Sequence, residues 1–313
     1  MLANLTPLEI VTYRATLALQ FADAVTGQRV TDGLTVRAWA FDPADPQLAR
    51  RADEAEKSPN SGIYGFHSLP GLKGYQIGEP VPAESLTFLV TIEDRYGRFL
   101  PQTRQYDLPL PVPAVQLVLL YSSPNRPTPT GYGAIRVQLL RTTTPIGNPL
   151  EVTVIQPAAW ARVAVSVPGD NTGDPTNLFH GLADGRGAVL VLVPYPMIAS
   201  NVLLNEAEWT VTVDVEHEPA AIRTDYDLLA IVLPILDEER TPPLQDTLES
   251  QGAAILFGTV NIVNAADQIY SIVGPSNTTE LDFTLQFSRP LTLRTQVDGA
   301  PDGPLSELLV ESA

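Results

Sequence analysis

Asp170, Asn171 and Asp174 stand within five residues of one another in the loop 168–177, PGDNTGDPTN. Side-chain oxygens that close together suit a hard cation, and calcium takes several oxygen ligands. The spacing, however, lacks the later glutamate that closes an EF-hand loop from both oxygens. Asp, Asn, Gly and Pro are also the residues of any tight turn, where Asx side chains bond their own backbone. An ordinary turn is therefore the first reading of the loop. Its three oxygen-bearing residues are the sole metal candidates, with chelator-dependent stability as their test.

The other reactive types are scattered. His67, His180 and His217 fall in separate blocks, with no pair spaced to share a helical face, and each reads as a hydrogen-bonding residue of a turn or strand end rather than a metal ligand. Gly181, Gly185 and Gly187 (GLADGRG) lack the spacing of a phosphate-cradling loop and run into a strand, so they read as a β-turn. No Gly-x-Ser-x-Gly elbow occurs. With no cysteine in the chain, disulfides, thiolate catalysis and cysteine metal sites are excluded. No nucleophile, base and orienting group can be named together, so the expectation is a protein with no catalytic residue and no cofactor.

Totals narrow the partners. The formal charge is −17, from 36 acidic and 19 basic residues in a chain of 313. An acidic shell repels phosphate and anionic lipid, which argues against nucleic acid and membrane surfaces. No run approaches the ~18 apolar residues of a membrane helix, and the start, MLANLTPLEI, is not patterned as a secretion signal. The expected location is the cytoplasm, or a particle assembled there. Three tryptophans remain: Trp209 shares its alternation face with valines and reads as core. Trp39 falls with Arg37 and Phe41 opposite Val36 and Ala38, and stays open as a protein-contact residue.

The elements that must position these residues are strands. Val11, Tyr13, Ala15, Leu17, Leu19 and Phe21 alternate with mostly polar residues, the period of two that buries one face of a sheet. Alternation returns at 34–41, 86–92, 115–121, 135–139, 162–167, 209–215, 281–287 and 291–297. Residues 188–193 are apolar on both sides, which suits a strand covered on both faces. Helix signals are limited to 46–57 (PQLARRADEAEK) and 241–251 (TPPLQDTLESQ). The 29 prolines and 21 glycines favour short strands and turns. The segment 122–133, SSPNRPTPTGYG, reads as a linker. The expected organisation is an N-terminal arm at 1–8, β-sandwich domains at 9–121 and 134–217, and a β-rich region at 218–313 that is a third domain or an extension of the second. The fold class is all-β, in tandem β-sandwiches of transthyretin or Ig type, with one or two short helices.

The stretches 23–30 (DAVTGQRV), 33–38 (GLTVRA) and 60–70 (NSGIYGFHSLP) resemble a transthyretin-like module, the carboxypeptidase regulatory-like domain. Arg29 stands where that family places the proline of its first turn, and Gly74–Tyr75 is displaced from the family's position. In the second block, 161–167 followed by GLADGRG is similar to the same plan. The resemblance implies a seven-stranded sandwich serving as a scaffold. The closing stretch SRPLTLRTQVDG is similar to segments of structural proteins in phage-tail-like contractile injection systems. This implies a non-catalytic assembly protein whose partners are other protein subunits, itself in several copies among them. The C-terminal contact candidates are Leu305, Leu308, Leu309 and Val310, with SELLV as a docking strand or helix; deletion of 304–313 is expected to impair assembly and leave the fold intact. The alternative is a carbohydrate- or calcium-binding sandwich module.

Overall fold

The alternating segments pair as strands. A computed structural model describes residues 15–41, 52–72, 85–110, 114–143, 154–167, 177–195, 207–233, 237–238, 240–252, 255–257, 259–263, 269–272, 280–287, 289–296 and 308–311. The N-terminal strands are β1 (Leu17–Asp23), β2 (Arg29–Val30), β3 (Leu34–Phe41), β4 (Ala52–Glu54), β5 (Glu56–Lys57), β6 (Tyr64–Phe66), β7 (Leu86–Asp94), β8 (Gln102–Leu108) and β9 (Gln116–Leu120). They form one sheet in the order β2-β1-β6-β5, with β9 added parallel to β1, and a second in the order β4-β3-β7-β8. Leu17, Leu19 and Phe21 of the first sheet share a buried core with Val36, Ala38, Phe88, Val90 and Ile92 of the second. Alternation sends those residues inward on both sheets.

The next strands are β10 (Tyr132–Thr143), β11 (Val154–Pro157), β12 (Arg162–Val167), β13 (Asn177–Leu182), β14 (Ala188–Pro194) and β15 (Glu208–Glu216). Helices α1 (Pro219–Val232) and α2 (Gln245–Glu249) follow, then β16 (Ile255–Phe257), β17 (Thr259–Val263), β18 (Ile269–Ile272), β19 (Glu280–Gln286), β20 (Leu291–Gln296) and β21 (Leu308–Glu311). One sheet runs β13-β12-β15-β19. The other is organised by β10, whose first half pairs with β14 and β20 and whose second half pairs with β11 and β21. Residues 280–296 therefore add strands to the sheets begun by 132–216.

β14 is covered on both faces, as its unbroken apolar run predicts. Val189, Val191 and Val193 enter one core with Val211, Val213 and Val215, while Leu190 and Leu192 pack on the other side with Ala134 and Val25. Val25 belongs to the turn after β1, so this outer face also touches the N-terminal strands.

Three expectations change. Residues 46–57 do not form the expected helix where they are described: 52–54 and 56–57 are strands β4 and β5, paired with β3 and β6. Helix propensity is a weak prior that pairing overrides. The expected helix over 241–251 shrinks to α2, and a longer helix, α1, opens the 218–313 region that was expected to be β-rich. Its signals were Pro219 in the first turn and Ile222, Tyr226 and Leu229 at helical spacing. Along the linker segment 122–133, Arg126 pairs with Asp23, Ser122 bridges Phe99, and Arg136 of β10 donates to the carbonyl of Pro124.

Candidate functional site

The two strand-rich blocks meet across the helices. Leu89 and Leu100 from the first block, Trp160 and Leu182 from the second, and Ile222, Tyr226, Leu229 and Leu248 from the helical segment form one buried cluster. Spacings of four and three put Ile222, Tyr226 and Leu229 on one side of α1. Trp160 is the largest fully buried side chain and the one described non-glycine residue in the left-handed region, at φ 63°. A bulky residue held there is unusual and is tolerated only where its surroundings fix it. Its backbone amide donates to Asp184 O and its carbonyl accepts from Gln251 Nε2. The indole Nε1 donates to Glu238 O at 3.2 Å, and the Tyr226 hydroxyl donates to the same carbonyl at 2.9 Å.

A cavity of about 310 Å³ opens beside this pair, lined among others by Gln156, Trp160, His217, Arg223, Tyr226 and Glu238. That is the lower end of small-molecule pockets, about 300–1,000 Å³. The one hydroxyl of its lining is Tyr226, whose proton burial holds well above the ordinary phenol value. It is also engaged with two carbonyls. The lining mixes apolar groups, Trp160 and Ile222 among them, with the charged Arg223 and Glu238.

Trp39 lies at the same seam, half-buried against this cluster. It lines a second cavity of about 180 Å³ with Arg37, Thr103, Leu233 and Arg240, and its Nε1 is buried with no hydrogen-bond partner among the described residues. The contact that Trp39 makes here is within the chain. Trp209 is likewise half-buried, stacked 5.3 Å from Tyr195, while Val211, Val213 and Val215 of its strand are fully buried.

Charged groups line the rest of the seam. Arg104 of β8 pairs with Glu249 of α2 at 3.4 Å, and Arg162 of β12 pairs with Glu216 at 3.0 Å. Arg162 also donates to His180 Nε2 at 3.1 Å, so the neutral ring carries its proton on Nδ1. Burial, then the Arg162 charge, push the His180 imidazole below its ordinary value. Asp225 accepts from the Leu244 amide at 2.8 Å, yet burial raises its carboxyl above the usual range.

The remaining candidates do not converge with these. Asp170, Asn171, Asp174 and Leu305 lie outside the described residues. Among the described residues no cluster of three His, Asp or Glu is placed to hold a metal. Leu308, Leu309 and Val310 form β21, parallel to β10 and antiparallel to β16, so this segment docks on its own chain. Its removal would open two strands rather than spare the fold.

Sequence reasoning missed one surface. On β9 and the residue before it, Val115, Leu117 and Leu119 are 45%, 60% and 42% exposed, whereas Val118 and Leu120 are buried. Both faces of this segment are apolar, and its one polar residue, Gln116, alternates with the buried set. The pattern thus offers no signal of which face stays wet. Only the core that β1 and β9 cover decides it.

No helix among the described residues is long and apolar enough to cross a membrane. What the fold and these surfaces define is a mostly β chain with two described helices wedged at the seam of two strand-rich blocks. No family model matches the sequence, and no curated protein is significantly similar to it. A solved structure, described as a tetra-tandem repeat in the extending region of a large adhesion protein, aligns with 94% of this chain and 73% of its own at 11% identity. Its TM-score of 0.16 is too low to argue fold or function from.

Proposed function

We propose that this chain is a non-catalytic structural protein of a multi-protein particle, joining neighbouring subunits through its strand edges and exposed apolar faces. The observation that carries the reading is the row Val115, Leu117 and Leu119, three large aliphatic side chains in contact with solvent on β9 and the residue before it. Contiguous exposed apolar surface of that kind marks protein interaction sites. The seam supports the same reading, because Trp160 and Tyr226 are buried in one cluster that draws residues from both blocks and the helical segment. The class of particle, a phage-tail-like contractile injection assembly, rests on the sequence resemblance to its structural proteins. Mass spectrometry of purified tail-like particles from the source organism tests it. The chain is expected in fixed ratio to sheath and tube proteins, and its absence from intact particles overturns the assignment.

A further inference from the structure

The backbone of β9 carries the argument beyond its side chains. Alternate residues of a strand turn their N–H and C=O groups to opposite edges. Leu120 O accepts from Ala24 N on the β1 side. Leu119 O accepts from Gln102 Nε2, and Tyr121 O from Leu100 N, on the other side. By the same alternation Val115 and Leu117 present their backbone groups on that outer edge. No described residue pairs with them, since β9 has β1 as its one strand partner. Among the described residues the edge closes at Leu119 and is open before it.

Protein edges left open are ordinarily blunted by charge, proline or a bulge. Here no charged residue occurs between Asp107 and Arg126, in a chain of net charge −17. Two such chains repel over most of their surfaces. The uncharged edge is where they can meet. The exposed set is also self-complementary under a two-fold axis, the symmetry of most homodimers.

Resting on the assembly reading above, we propose that the occupant of this edge is a second copy of the chain, its β9 antiparallel to the first. The axis passes between the two Gln116 residues. Val115 N–H then bonds Leu117 O of the second copy and Leu117 N–H bonds Val115 O, with the symmetric pair repeated. Val115 and Leu117 side chains lie beside each other across the junction, the close pairing that stabilises adjacent strands. Leu119 O keeps Gln102.

The test is the mass of the purified full chain in solution, by light scattering after size exclusion. A dimer is expected, with Leu117→Glu and Leu117→Pro both monomeric and unchanged in far-ultraviolet circular dichroism. Proline removes an outer-edge N–H that β1 does not use, which an edge strand tolerates. Leu178→Glu, at another exposed leucine, should leave the dimer intact. Because the chain has no cysteine, Gln116→Cys should give a disulfide-linked dimer under mild oxidation, and Leu178→Cys should not. A wild-type monomer, a dimer that survives both Leu117 variants, or equal cross-linking at 116 and 178 overturns the proposal. None of these results touches the particle assignment, which stands or falls on its own mass spectrometry.

Discussion

Trp160 and Tyr226 donate to one oxygen, the backbone carbonyl of Glu238, from the second block and from α1 respectively. A single acceptor thus ties a left-handed residue at a strand end to the helix that fills the seam. Tyr226→Phe should cost about 1 kcal/mol, the net worth of a typical hydrogen bond. Trp160→Ala should cost about 3–5 kcal/mol, because it also empties a buried indole site. In urea titrations, Trp160→Phe combined with Tyr226→Phe should lose more than the sum of the two, since the carbonyl then has no donor. Strict additivity would show that the two donors do not share the work.

Gly187 and Gly27 both lie in the left-handed region, at φ 78° and 67°. Only Gly187 is crowded. A Cβ there would stand 2.2 Å from Leu139 O, the oxygen beside which β10 changes partners, whereas nothing lies within 4 Å of one at Gly27. Gly27→Ala should cost about 1–2 kcal/mol from backbone strain alone. Gly187→Ala should cost distinctly more, because backbone rather than a flexible side chain must move. Equal thermal midpoints would contradict this.

The Asp23–Arg126 pair joins the end of β1 to the segment between blocks, with Arg126 Nη1 3.0 Å from Asp23 Oδ1. Burial alone would raise the Asp23 carboxyl. Hydrogen bonds from Arg126, Thr26 and the Val25 amide, with the Arg126 charge, outweigh burial and hold it below its ordinary value near 3.8. A carboxyl depressed in the folded state adds stability above that ordinary value and loses it as pH falls through the lower folded one. Melting temperature should therefore drop below about pH 4 in the wild type, and less steeply in Asp23→Asn. At neutral pH Arg126→Met should cost about 3–5 kcal/mol, since it strands a buried carboxylate.

β21 lies between β10 and β16, so its backbone is used on both edges. Proline there removes a ladder donor from an interior strand. Val310→Pro should lower the unfolding midpoint by several degrees, as a loss of about 1–2 kcal/mol does in a domain of this size. A fully stable variant with a defect only in assembly would restore the docking-tail expectation drawn from the sequence.

Much of the strand plan was legible because alternation is a local property. Residues 34–41, 162–167 and 209–215 show their period within a few positions, and each forms a strand at or near those bounds. The segment 52–57 was not legible, since ADEAEK carries helix formers and becomes extended only where β3 and β6 supply partners. The place of Trp39 was not legible: its packing against the cluster of Trp160, Leu89 and Leu229 is set by residues far away in sequence.

By itself the sequence determined that the chain is acidic, cysteine-free and mostly β, because charge, composition and a period of two need no partner to be read. Tertiary structure alone decided which apolar face of β9 stays wet, that Trp160 turns left-handed to meet Tyr226, and that β21 closes on its own chain. Each of these depends on groups far apart in sequence competing for the same buried surface or the same backbone donors, and nothing local records the winner.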